Sequence, residues 1–389
     1  MADRLPAVAS GARSTVAGIA STQLKVDMDD IYMYESESED ALFKTMSMIS
    51  KETAHAKTVA WHADELVPQF VRINGGTLDD SGVTFTVDTP GGSYIPPGTL
   101  LENTRTEEQY VTTTGGTATT FVVTARSWGA TAAAATADND EIMIVGPAYA
   151  ESASLQSAVS TTAVQYTNNI QTVRHNWSVS GLLEAIAKNG GTYGGEDPAI
   201  QRRKTMATHR RTLNRLLLNA EAATSGGTAT MTGIIPFARV NNSGGVNHAT
   251  TLTEPVFEAH NQTWFDAGES GDRVLLCSQA VHGILNQFPS TLQRTKSGQK
   301  NFGLRLSDYQ SAHGDIKIVR ERQLRGDKYA KAAIGFDPTR VKLKVVRDTR
   351  LIKNRQGVSE DGYSEEVLTD LSAIWGAPGT IVYWDSIVA

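Results

Sequence analysis

Residues 165–221 read QYTNNIQTVRHNWSVSGLLEAIAKNGGTYGGEDPAIQRRKTMATHRRTLNRLLLNAE, and three backbone signals follow one another along them. Gln165 to Val179 is rich in Thr, Val, Ile, Tyr and Trp, which suit a pleated, half-buried surface, so a long strand comes first. Leu182, Leu183, Ile186 and Ala187 then repeat at helical spacing. Asn189-Gly190-Gly191 ends that short helix, because Gly accepts the positive φ of a helix C-terminus. Asp197-Pro198 starts the next: the Asp side chain accepts an orphan N–H and Pro presets φ at the first helical position. No Gly or Pro interrupts Pro198 to Glu221, which predicts a helix about 36 Å long at ~1.5 Å per residue.

Placed at steps of about 100°, Ala199, Met206, Leu213, Leu216, Leu217 and Ala220 fall in one apolar stripe, with Lys204, Arg211 and Arg215 opposite. One face packs, and the other meets solvent or a polyanion. A solvated face is the ordinary reading of such an Arg/Lys/His run.

The 389 residues suffice for two or three domains with a substantial core. A hydrophobic fraction of 40% with 34 Gly points to extended, loop-connected architecture beside packed core. The net charge of −6 argues against a generic nucleic-acid binder, although a basic patch fits within an acidic total. Cys277 is the single cysteine, which excludes an intrachain disulfide and a Cys-rich metal site. Inside Val274-Leu275-Leu276-Cys277 it reads as buried rather than reactive. No run of about 18 apolar residues occurs, and no basic start precedes an apolar block, so neither a membrane span nor a secretory signal is expected; the reading is a soluble protein made in a cytosol.

Residues 1 to about 24 are small and polar and order only against a partner. Asp27, Asp29, Asp30, Glu35, Glu37, Glu39 and Asp40 then make an acidic stretch interleaved with Ile31, Tyr32 and Tyr34. It is either a solvated loop or an arm whose carboxylates meet basic residues of a neighbouring chain, with Lys204, Arg211 and Arg215 as candidates. Lys51 to Leu66 alternates as a strand, with the strand leading into Trp177 as its natural partner. Between them, about 74–146, short β runs at 83–87, 109–112, 121–123 and 142–145 are punctuated by Pro90-Gly91-Gly92, Pro96-Pro97-Gly98 and Gly115-Gly116. This reads as a small all-β module inserted at a hairpin tip, which grips a neighbour, binds a ligand such as a glycan, or stiffens the hairpin.

Beyond Glu221 comes a Gly/Ser/Thr-rich link. Helices are then expected from Thr253-Pro255 to Gly268 and from Ser278 to Pro289, with strands at 274–277, 316–319 and 331–336. These make one compact α/β domain. Strands at 341–346, 363–371 and 380–384 must find a sheet elsewhere, most simply beside the long helix.

The sequence carries no G-x-S-x-G, G-x-x-x-x-G-K-[ST], H-E-x-x-H or Rossmann glycine pattern. His55 and His62, seven apart on one strand, face opposite sides, which suits no shared metal. Asp79-Asp80, Glu107-Glu108 and Glu365-Glu366 read as solvated acids. No residue is assigned to catalysis, and no cofactor is expected.

Taken together, TVRHNWSVSGLLEAIAKNGG (172–191), KTVAWHADEL (57–66), GDRVLLCSQAVHGILNQF (271–288), HGDIKIVRERQL (313–324) and the closing block at 341–384 resemble tailed-bacteriophage major capsid proteins of the HK97-like fold. More narrowly, they resemble the family that includes the capsid protein of phage SU10. The similarity spans about residues 30–389, and it is the order of the motifs, rather than any one, that carries it. Residues 74–146 exceed the simplest members.

The resemblance implies an α+β fold with an N-terminal arm (1–50), an extended E-loop (51–176) carrying the inserted β module at about 74–146, a P-domain (177–224 and 337–389) and an A-domain (225–336). It places the long helix towards the capsid interior, where Lys204, Arg211 and Arg215 meet packaged DNA or a neighbour's arm. It implies a structural, non-enzymatic virion protein that forms pentamers and hexamers of an icosahedral lattice. Assembly would take place in the bacterial host cytoplasm with a separate scaffolding protein, since no bulky scaffolding segment precedes the arm, and with a portal; a decoration protein is also admitted. An encapsulin-like nanocompartment shell is the alternative on the same fold, and a glycan-binding β protein built on 74–146 is a third reading.

Overall fold

The computed structural model describes residues 40–49, 51–75, 78–149, 151, 158–182, 198–241, 251–268, 271–288, 306–357 and 360–388. The chain divides into two compact units: Ala60–Thr167, and the described residues before and after it. The short helix expected at 182–187 and most of the arm lie outside the described residues.

Helix α1 (Ala41–Ile49) opens the described chain and buries Ala41, Leu42, Thr45 and Met46, a stripe at i, i+1, i+4 and i+5. The arm reading had not separated this helix, because nine residues are too few for a periodic pattern to stand out. Strands β1 (Lys51–Thr53) and β2 (Thr58–Ala63) follow, and in β2 Val59 is buried while Thr58, Ala60 and His62 are exposed, as the alternation predicts.

The inserted module is β3 (Phe70–Arg72), β4 (Thr84–Thr86), β5 (Thr99–Asn103), β6 (Gln109–Thr114), β7 (Thr120–Val123) and β8 (Glu141–Pro147), in the antiparallel order β3-β8-β5-β6-β7-β4. Its outer strands meet: Ile73 bridges Val87, the Asn74 amide donates to the Thr86 carbonyl at 3.0 Å, and the Asp88 amide to that of Arg72 at 2.9 Å. The sheet therefore closes into a small barrel with no free edge to recruit a stray strand. Phe85, Leu101, Tyr110, Phe121 and Ile142 fill it, with Phe85 stacked on Phe121 at 4.9 Å. Gly116 is required by close approach, since a Cβ there would lie 1.9 Å from the Gly92 carbonyl oxygen.

Strand β9 (Val164–Asn169) pairs with β2, and Trp61 stacks on Tyr166 at 5.9 Å. The long strand expected at 165–179 is thus two. At Ile170 the amide turns to the Lys57 carbonyl (2.9 Å), and β10 (Gln171–Ser180) goes on with a different neighbour. Helix α2 (Pro198–Asn219) follows, two residues shorter than predicted. The Gly/Ser/Thr-rich link is a tight hairpin, β11 (Ala223–Ser225) and β12 (Thr228–Thr230), turned by Gly226 and Gly227 at φ +55° and +86°. Helices α3 (Ile234–Asn241) and α4 (Glu254–Phe265), strand β13 (Asp272–Cys277) and helix α5 (Gln279–Leu285) come next; Ser278 caps α5 by accepting the Val281 amide at 3.3 Å. Strands β14 (Leu306–Gln310), β15 (Asp315–Arg320), β16 (Ala333–Phe336), β17 (Lys342–Lys353), β18 (Gly362–Ile374) and β19 (Val382–Trp384) complete the chain.

Two sheets organise this second unit. One runs β1-β17-β18-β10, its long strands β17, β18 and β10 antiparallel. Helix α2 covers one face, with His209, Leu213 and Leu217 fully buried at successive turns. The other runs β14-β15-β13-β16-β19 over a core of Phe257, Trp264, Leu275, Ile316, Val382 and Trp384. Burying each such side chain contributes roughly 1.5–3 kcal/mol. Gly335 lets the Trp264 ring lie on β16, for an added Cβ would come within 2.5 Å of it.

The last strand departs from expectation. Segments 341–346 and 363–371 do form the sheet beside the long helix, but β19 pairs with β16 in the other sheet, through Ala333–Trp384, Ile334–Tyr383 and Gly335–Val382. Trp384 is buried and completes the aromatic group around Phe257, at 5.8 Å, and Trp264, at 6.0 Å.

Candidate functional site

Lys204, Arg211 and Arg215 are helical and lie seven and four residues apart, so they share one side of α2. Arg215 is exposed, whereas Lys204 and Arg211 are half-buried. The Arg211 carbonyl accepts the Gln323 side-chain amide at 2.9 Å, which ties this stretch of α2 to the loop after β15. Arg202 points elsewhere and forms a fork on Glu365 of β18 at 2.5 and 2.7 Å, beneath the helix.

The underside of α2 is more polar than its stripe predicts. His209 and Asn214 are wholly buried beside Leu213, Leu217 and Leu218. A single line of hydrogen bonds runs through the histidines. The Thr212 hydroxyl donates to the Thr208 carbonyl (3.0 Å) and so accepts from His175 Nε2 (3.4 Å). His175 Nδ1 then accepts from His209 Nδ1 at 3.0 Å, while His209 Nε2 accepts from Thr369 at 2.7 Å and Thr369 from Thr349 at 2.9 Å. In the neutral pair each ring keeps one proton, and a third on His209 Nε2 would require the Thr369 and Thr349 bonds to reverse. Burial, then the neighbouring His175, pushes His209 down to about 4; burial also lowers His175.

Asp40 is the one member of the acidic stretch among the described residues; Asp27, Asp29, Asp30, Glu35, Glu37 and Glu39 lie outside them. Asp40 is buried and pairs with Lys44 of its own helix at 2.7 Å. The start of α1 is held by two side chains from distant parts of the chain. The Leu42 amide donates to Glu321 (3.0 Å) and the Phe43 amide to Asn214 of α2 (2.8 Å). These satisfy amides that a helix start leaves without partners. Burial pushes the Glu321 carboxyl above the ordinary range, against the amides that favour its ionised form.

The face of the four-stranded sheet turned away from α2 is charged. Along β18, Glu365, Val367 and Thr369 face the helix, so Glu366, Leu368 and Asp370 face the other way. On that side Glu366 accepts from Arg174 of β10 and from Arg355 (2.9 Å), Asp370 pairs with Arg347, and Glu52 of β1 holds both Lys342 (2.7 Å) and Lys344 (2.5 Å). Hydrogen bonds from the two lysines bring Glu52 down to about 2. Sequence reading missed this ridge, although the six bases of Lys342 to Arg355 were a visible signal.

Among the described residues no group of three or more His, Cys, Asp or Glu is placed to hold a metal ion, and no helix is long and apolar enough to cross a membrane. Cys277 is buried, and burial drives its thiol up to about 12, which disfavours the thiolate.

Comparisons with known proteins agree with this architecture. The capsid of an empty GTA particle is similar over 97% of this chain and 100% of its own, at 10% identity and a TM-score of 0.52. The capsid of a native GTA particle is similar over 95% and 97%, at 8% identity and a TM-score of 0.50. A structure from Mycobacterium phage Bobi covers 94% of this chain and 96% of its own, at 9% identity and a TM-score of 0.48. No curated protein matches. The α+β, HK97-like capsid fold expected from the sequence is borne out, and nothing in the comparisons supports the encapsulin-like alternative. A family model described as SU10 major capsid protein matches residues 16–368, most of the chain, and the chain accordingly belongs to the SU10 major capsid protein family.

Proposed function

We propose that the protein builds the icosahedral head of a tailed, double-stranded DNA bacteriophage, as pentamers and hexamers of this one chain. The family match over residues 16–368 carries the reading. Capsid membership makes it a structural component of the virion and its lattice partner another copy of itself. The finer assignments are ours. The sheet β1-β17-β18-β10 with α2 serves as the P-domain, the sheet β14-β15-β13-β16-β19 with α4 and α5 as the A-domain, β2 and β9 with the barrel as the E-loop, and residues 1–50 as the N-terminal arm. Lys204, Arg211 and Arg215 face the interior and neutralise packaged DNA, supported by their common side on α2. Assembly takes place in the host cytoplasm around a separate scaffolding protein, with a portal at one vertex and a decoration protein admitted on the outside.

A shell subunit must bury several modest patches at once, because linked weak contacts give an avid lattice. Expression of the full chain in a bacterium, alone and with the scaffolding protein of its own gene cluster, followed by negative-stain electron microscopy tests the reading. Closed shells of uniform diameter are expected. Soluble monomer under both conditions, at concentrations up to about 100 µM (well above the µM affinities of ordinary weak contacts), overturns it.

A further inference from the structure

We propose that the acidic stretch from Asp27 to Glu39 of one copy docks along β17 of a neighbouring copy, on the sheet face turned away from α2. The inference rests on the shell reading and names the acceptor for the arm. On that face Arg174, Lys342, Lys344, Arg347, Arg350 and Arg355 stand against three carboxylates, Glu52, Glu366 and Asp370. Two of these carboxylates each serve two cations. An ammonium has three donors and a guanidinium five, so most of the ridge's donors are left over. Arg174, Lys342, Arg347 and Arg355 are each 41–57% exposed in their side chains, and Arg350 forms no ion pair among the described residues.

The arm has the complementary chemistry. Residues 27–40 contain seven acids and no Lys or Arg. Glu35, Glu37 and Glu39 alternate, so in an extended segment they lie on one side about 6.8 Å apart. Lys342 and Lys344 alternate on β17 with the same repeat. On helix α2, Arg211 and Arg215 stand about 6 Å apart along the axis, close to this repeat, but Lys204 stands about 10.5 Å from Arg211, so that row does not continue it.

The lattice partner of a shell subunit is another copy, and that copy supplies the arm. Glu39 adjoins Asp40 at one end of α1 and Glu52 lies past the other, about 13 Å away at ~1.5 Å per residue, so an arm of 13 residues, able to extend over about 40 Å, also reaches its own ridge and the experiment must separate the two. A solvated ridge with internal ion pairs is the competing account, since exposed pairs need no partner.

Charge reversal and a cross-link decide among these. The arm variant carries Glu35→Lys, Glu37→Lys and Glu39→Lys; the ridge variant carries Lys342→Glu and Arg350→Glu, leaving Lys344 on Glu52. Each alone is expected to lower shell yield at least ten-fold at low salt, with the unassembled arm variant melting as the unmodified chain does and the ridge variant, which loses the Lys342–Glu52 pair, still folded at the assay temperature. Combining all five changes in one chain restores shells, because reversed arms then meet reversed ridges throughout the lattice. Normal yield from either variant alone overturns the proposal, and so does failure of that rescue. A cysteine pair, Glu37→Cys with Arg350→Cys, reports which copy is reached, the native Cys277 being buried: oxidised shells should give covalently linked oligomers on denaturing gels, whereas a cross-link confined to single chains assigns the arm to its own ridge and overturns the proposal. If the ridge variant does not fold, Arg350→Glu alone takes its place, as that side chain holds no ion pair among the described residues. Failure of the unmodified chain to form shells with its scaffolding protein overturns the shell reading and this proposal with it, an outcome distinct from failure of the variants alone.

Discussion

His209 was part of a run that reads in sequence as a solvated basic face, yet it is fully buried. Its partners, His175, Thr369 and, through Thr369, Thr349, lie 20 to 160 residues apart along the chain, and no local pattern announces such a contact. The consequence is a pH dependence with a definite sign. The folded-state value, about 4, is below the ordinary 6.5, so between these the unfolded chain binds the proton that the folded chain refuses. Stability from this site is whole above pH 6.5 and falls as pH drops towards 4, by roughly 3 kcal/mol at 1.36 kcal/mol per pH unit. Carboxylates held low, such as Glu52 and Asp140 at about 2, lose theirs only in a second, more acidic step. Thermal melting of the unassembled subunit against pH should show both steps. His209→Gln should flatten the first, leave the second, and cost about 1–3 kcal/mol at pH 7 for the broken buried bonds. Glu321 is the second such residue. Glu321→Ala removes the acceptor at the start of α1, and amide exchange over 41–49 should accelerate by an amount equivalent to about 2 kcal/mol.

Among the elements, the barrel makes the clearest prediction, because its hydrogen bonding closes on itself. Residues 69–149 expressed alone should fold cooperatively, with unfolding transitions by tryptophan fluorescence and circular dichroism coinciding. Inside, Arg126 pairs with Glu108 at 2.8 and 2.9 Å, and its guanidinium lies 5.3 Å from the centre of Phe85 and 5.4 Å from that of Tyr110. Burial opposes ionisation of Glu108, but Arg126 and the amides of Ala134 and Ser127 prevail and hold it below its usual value. Arg126→Ala strands that carboxylate and should destabilise the excised barrel by about 3–5 kcal/mol, while replacing both partners with apolar residues of similar size should cost far less. Which elements were legible follows from the same physics. Helix α2 was, since Asp197-Pro198 starts it and no breaker interrupts it. Strands β4, β6, β7 and β8 were, through short β-branched and aromatic runs punctuated by Pro-Gly and Gly-Gly breakers. Strands β3 and β5 were not: Phe70-Val71-Arg72 is three residues long beside Pro68, and TLLEN at 99–103 lacks β-branched residues after its first. The placement of β19 depends on an aromatic cluster assembled from three separate segments, which spacing cannot encode.

For the whole molecule, the sequence carried the family and the α+β class, while the acceptor surface for the arm emerged only with the register of β17 on β18. Register decides which bases share a face, and the bulges near Arg347 change that alternation partway along the strand. The account as a whole holds that this chain is completed only by copies of itself. Electron cryomicroscopy of the particles, reconstructed with the symmetry of a closed shell, tests this most directly. The account predicts fivefold vertices built from this fold, Lys204, Arg211 and Arg215 on the inner wall, and density for residues 27–39 crossing to the charged ridge of an adjacent copy. Particles that fail to form while the folded chain sediments as a monomer, or a shell whose arms never leave their own subunit, would contradict it.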